Sequence, residues 1–154
     1  MPAKPAQPGR HHKEAAVRFY FDADVLGLAH VIADLRPDAT YPGDRGGVVH
    51  KQLRRPCPIE SPATKDSVWI PKVADLGWLI VTRDARIQEH RAEIAAVRNS
   101  GARMVALGSR EAGGTFAQLE VLMCQWRAVE GCLSETGPFI YVATRTTFRS
   151  VDLS

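Results

Sequence analysis

Four short runs rich in β-branched and aromatic residues, at 17–22, 78–82, 103–107 and 139–142, punctuate this chain. Between them the apolar residues change period. Val25, Leu28, Ala29, Ile32 and Leu35 recur at helical spacing, as do Trp69, Val73 and Leu76, then Ile87, Ile94 and Val97, then Phe116, Leu119, Met123 and Trp126. A spacing of three to four marks one buried face of a helix, whereas a short apolar run is a strand buried on both faces. Parallel strands need a long crossover between them, and a helix is the usual one. The alternation therefore predicts an α/β domain: a mostly parallel central sheet of four or five strands flanked by helices.

Local punctuation sets the expected boundaries. The first helix should run from about Asp24 and stop before Pro37, because the residue before a proline avoids the α region. A second helix is expected over 65–76, ended by Gly77 and carrying Pro71 inside it, at the loss of one hydrogen bond. A third should span 85–99 and close at Gly101. A fourth should span 115–129 with Thr115 as its cap, burying Phe116, Leu119, Met123 and Trp126; Trp69 is likewise expected in the core. Residues 39–41 form a weakly marked extra strand. Residues 42–63 hold four prolines and three glycines and predict a long loop, with a short helical or extended piece at 48–53. Loops of that length are usually functional or mobile. Residues 1–14 predict a disordered leader, which leaves 15–154 as the domain.

With 154 residues, 45% hydrophobic and 24% charged, the chain suits one ordinary globular domain. No apolar run is long enough to cross a membrane as a helix, and no signal core is expected. Cys57, Cys124 and Cys132 are odd in number and lack zinc spacing, so a reduced, cytoplasmic protein is the expectation. A net charge of +3 names no partner. Its distribution is more telling. Arg45, His50, Lys51, Arg54 and Arg55 crowd the long loop, and Arg83, Arg86, His90 and Arg91 flank Asp84. Such clusters suit a phosphodiester substrate or, equally, a solvated loop and helix face. His30, His50 and His90 lack partners at ligand spacing. There is no glycine-rich phosphate loop, no Gly-x-Ser-x-Gly elbow and no Cys/His nucleophile pair.

The acids carry the chemistry. Asp22 and Asp84 each close an apolar run, and Asp66 opens a helix. In a parallel sheet the strand C-termini and the following helix starts share the edge where such folds bind ligands, so the three carboxylates are placed to converge. Converged carboxylates repel one another, and a hard divalent cation relieves the repulsion. Asp66, Asp84 and Asp24 each also have a plain structural reading as a helix cap, strongest for Asp24; Asp22, at a strand end and followed by another acid, is harder to read that way.

Two segments resemble the PIN-like nuclease superfamily, and within it the small VapC-like toxin ribonucleases. One is Phe21-Asp22-Ala23-Asp24-Val25-Leu26; the other runs from Asp66 through Gly77 and the strand before Thr82-Arg83-Asp84. The resemblance implies a three-layer fold with Asp22, Asp66 and Asp84 as catalytic acids. It implies Mg²⁺ or Mn²⁺ held by Asp22, Asp24, Asp66 and Asp84, with Thr82 as a supporting polar residue. It further implies an RNA substrate cut by water, a role as the toxin of a toxin–antitoxin pair, a cognate antitoxin partner and a homodimer. The chain departs from the family where many members carry a mid-chain helical glutamate. Asp24 and Asp44 are the candidates to replace it, with Asp24 preferred for its place beside Asp22. The departure motivates an alternative, a catalytically silent PIN-like binding or assembly module. A phosphoacceptor receiver domain is disfavoured, because no lysine follows the last strand.

Overall fold

The computed structural model describes residues 12–83, 91–108 and 112–154. Its centre is a six-stranded sheet. In chain order the sheet strands are β2 (Phe19–Phe21), β3 (Ala39–Thr40), β6 (Leu79–Arg83), β7 (Arg103–Leu107), β8 (Phe139–Ala143) and β9 (Phe148–Ser150), in spatial order β3-β2-β6-β7-β8-β9. All pairs are parallel except β8 with β9. The expectation of four or five strands is exceeded by one, the short antiparallel strand β9 in the C-terminal tail.

Strand side chains alternate between two cores, which makes three layers. Phe19, Phe21, Leu79, Val81, Val105 and Leu107 face one core with α1 (Leu26–Leu35), α4 (Thr115–Cys124) and α5 (Trp126–Gly131). Tyr20, Ile80, Met104 and Ala106 face the other, with α2 (Asp66–Asp75) and α3 (Arg91–Ser100). Gly27 lets α1 lie against α4, because a Cβ there would collide with Thr115.

Several expectations need correction. The fourth helix is two: α4 and α5 break at Gln125, whose backbone leaves helical geometry. Within α4 the buried face is not the expected one: Phe116 is 81% exposed and Met123 49%, while Gln118, Val121 and Leu122 are buried. Thr115 is the first helical residue and Gly114 the cap, with no side-chain cap bond. Leu35 and Leu76, at helix ends, are also exposed. The first α-helix starts at Leu26, after a 3-10 turn over Ala23–Val25.

The long segment 42–63 is not structureless. It holds a hairpin, β4 (Gly47–Val49) with β5 (Gln52–Arg54), turned by His50 and Lys51, both at positive φ. Two left-handed residues in a two-residue turn match the right-handed twist of the strands they join. The leader boundary moves as well. Lys13–Glu14, β1, adds to β5 in parallel, and Glu14 pairs with Arg55 at 3.1 Å. Residues 1–11 lie outside the described residues, and so does the expectation for them.

Candidate functional site

The chain runs from β2 to β3 on one side, then returns to place β6 on the other side of β2 and continues outward through β7 and β8. The order of strands therefore reverses between β2 and β6. A crevice opens at such a switch point, outside the carboxyl ends of the two strands. Asp22 follows the end of β2, and Thr82 and Arg83 end β6, so both sides of the crevice carry polar groups.

Asp22 is fixed by the sheet before it is used. Its backbone N–H donates to Val81 O at 2.9 Å, extending the β2–β6 ladder by one bond. Its carboxylate caps the 3-10 turn, accepting from Ala23 N at 2.6 Å. The turn brings Asp24 back over the end of β6. The Thr82 hydroxyl, 1% exposed, then lies 3.1 Å from Asp22 Oδ2 and 3.0 Å from both Asp24 oxygens. Arg83 N donates to Asp24 at 3.2 Å. Thr82, expected as a support, thus joins two acids.

Burial pushes the Asp22 carboxyl up to about 7, and the neighbouring Asp24 charge pushes the same way. The bonds from Ala23 N and the Thr82 hydroxyl oppose the rise without cancelling it, and Asp66 adds a smaller upward push. A proton on Asp22 also resolves the hydroxyl's bonding, since Thr82 has one hydrogen and faces two carboxylates. Protonated Asp22 can donate to Thr82 Oγ1 while Thr82 donates to Asp24.

Asp66, in the first turn of α2, is near enough to be felt at Asp22, yet its Oδ1 accepts from the Trp69 indole N–H at 2.9 Å. Lys65 is the cap, so the cap reading of Asp66 does not hold. Trp69 is anchored by Tyr20, ring to ring at 5.1 Å. Asp84 lies outside the described residues, with Arg86 and His90. Among the described residues no group of three His, Cys, Asp or Glu is gathered closely enough to hold a metal ion. The structure brings Asp22 and Asp24 together, places Asp66 at their margin and leaves Asp84 undescribed.

Asp44, the alternative fourth acid, is a structural residue. It is 4% exposed and accepts from Arg54 Nε at 2.7 Å, Thr40 Oγ1 at 2.9 Å and Gly46 N at 2.9 Å. Arg54 therefore leaves the basic cluster expected to meet phosphate, and Arg55 turns to Glu14. His50 contacts Leu35 O at 3.0 Å.

The Asp22–Asp24 donor set fits a divalent cation. Two hard carboxylates share one hydroxyl, and burial beside a like charge disfavours the ionised form of Asp22 until positive charge arrives.

A mostly parallel sheet between two layers of helices, with acids at its switch point, matches the three-layer fold of PIN-like domains, a nuclease-type fold. The chain belongs to the PIN-like domain family, whose model matches residues 18–109. No curated protein and no solved structure matches it. No helix among the described residues is long and apolar enough to cross a membrane.

Proposed function

We propose that this protein is a divalent-metal-dependent endoribonuclease, with Asp22 and Asp24 as the core of its metal site and Asp66 and Asp84 completing it. The observation that carries the reading is the pair of carboxylates gathered on the buried Thr82 hydroxyl at the switch point of the sheet. Bound Mg²⁺ or Mn²⁺ would supply Lewis acidity toward a phosphodiester. The chain's own groups do the positioning. Ala23 N and Arg83 N orient the two carboxylates, and Thr82 fixes their separation. Arg83 Nε is buried with no hydrogen-bond partner among the described residues, a donor left for an anionic ligand. A ribonuclease loose in the cytoplasm needs restraint, which supports a role as a toxin held by a cognate antitoxin protein; a homodimer follows from the same resemblance.

The test is cleavage of a labelled single-stranded RNA by the purified full chain. Cleavage should require Mg²⁺ or Mn²⁺, stop with chelator and be lost in Asp22→Asn. Unchanged cleavage by that variant, or cleavage in excess chelator, contradicts the proposal.

The catalytically silent module remains a second reading, favoured by the Asp66 carboxylate being engaged by Trp69. It predicts RNA that is bound and never cut under any divalent metal.

A further inference from the structure

Beside the acidic site, a cavity of about 570 Å³ opens between α1 and the hairpin segment. Leu26, His30 and Asp34 line it from α1, one face at i, i+4 and i+8, while Tyr41, Arg45 and Pro62 line it from the opposite side. Leu26 directly follows the turn that carries Asp24, so the cavity wall and the acidic site are joined through the start of α1. Its base is rigid. The buried Asp44–Arg54 ion pair lies there, and Arg54 also donates to Ala33 O at 3.0 Å, tying the hairpin to the last turns of α1. Above this base Tyr41 also packs against the core, while His30, Asp34 and Arg45 project toward the cavity. The exposed His30 ring meets the Tyr41 ring at 4.7 Å between centroids, and the side chains of Arg45 and Asp34 make no hydrogen bond or ion pair among the described residues.

We propose that this cavity is a nucleobase subsite for the single-stranded RNA cut at the neighbouring acids; the inference rests on the nuclease reading above. An unpaired base offers an apolar face with polar edges, and aromatic side chains at a single-strand site take that face. His30 and Tyr41 supply the rings. Asp34 supplies an acceptor for base N–H groups, and Arg45 supplies a cation for the adjoining phosphate. The base is held by a preformed wall, so binding orders little of the protein. A duplex keeps its bases stacked inside and cannot present one to the cavity.

The experiment measures fluorescence anisotropy of a short fluorescein-labelled single-stranded RNA with the full chain, in chelator so that nothing is cut. His30→Ala and Tyr41→Ala should each weaken binding about tenfold, the size of one lost base–aromatic stack. Tyr41→Phe should bind as the parent does, because the ring remains. A duplex of the same sequence should be indifferent to His30→Ala. Parent-like affinity in both alanine variants, or an equal loss for duplex and single strand, overturns the subsite. Tyr41 is half-buried and its loss can disturb β3, so the exposed His30 variant decides where the two differ. Because binding is read without metal, a chain that needs His30 to bind yet never cleaves overturns the nuclease reading alone. A chain that cleaves yet binds RNA equally well in both variants overturns the subsite alone.

Discussion

Asp44, buried, and Asp22, half-buried, are two carboxylates drawn out of solvent, and they are treated oppositely. Asp44 meets a guanidinium, a hydroxyl and a backbone N–H, all donors, and its charge is answered within the fold. Asp22 meets a backbone N–H and a hydroxyl, but the charges acting on it are those of two further carboxylates, Asp24 and Asp66. A buried acid with a cation holds two pieces of chain together, here the hairpin and α1. A buried acid among acids works against the fold, and such strain persists where a ligand uses it.

Asp22→Asn and Asp24→Asn should each cut RNA cleavage by roughly 100-fold or more, since even outer groups around a metal are worth about 10–100-fold. Their thermal stability should hold or rise, as each removes a like charge. Asp44→Ala should do the reverse. It leaves Arg54 buried without its partner, at a cost of about 3–5 kcal/mol in a denaturant melt, while the protein that stays folded still cleaves. Equal loss of stability in the Asp22 and Asp44 variants would break the comparison.

The pH dependence follows from the raised Asp22 carboxyl. A folded-state value near 7 against an ordinary value of 3.8 means the folded protein holds the proton more tightly than the unfolded chain. Stability from this group is complete below about pH 4 and is lost as pH rises through about 7. In metal-free protein, Asp22→Asn should therefore gain on the parent as pH passes 7, read as a widening gap in Tm. Divalent metal competes with that proton, so its affinity should climb over the same window.

Thr82→Val tests a smaller contribution. Without the shared hydroxyl, cleavage should fall about tenfold and stability by about 1 kcal/mol. Smallest of all, Phe116→Ser on the exposed face of α4 should change stability by less than about 0.5 kcal/mol, whereas a core phenylalanine would cost several times more.

Much of this arrangement was legible in the chain. The apolar runs at Phe19–Phe21, Leu79–Arg83 and Arg103–Leu107 announce buried strands because both faces of the sheet are covered. The positions of Asp22 and Asp24 follow from that sheet plus the family pattern. What escaped depends on distance and phase. The Asp44–Arg54 pair joins residues ten apart across a hairpin whose turn residues, His50 and Lys51, are not the usual glycine or asparagine. No local signal told Arg54 from its exposed neighbour Arg55. Phe116 and Met123 keep helical spacing, but α4 docks through Gln118, Val121 and Leu122 instead, a choice of face that spacing alone does not make. The indole bond that draws Asp66 toward Trp69 depends on the packing of Trp69 against Tyr20, which becomes visible once β2 and α2 are stacked. The His30–Tyr41 contact likewise needs α1 and the segment after β3 side by side.

On the proposed reading Asp22 and Asp24 form a cation site rather than a pair of turn caps. Titrating Mn²⁺ into the metal-free full chain, with free Mn²⁺ followed by electron paramagnetic resonance, tests it most directly. The parent protein should take up Mn²⁺ at pH 8, and Asp24→Asn, still folded, should lose most of that uptake. Equal uptake by parent and variant, or no uptake by either, would contradict it.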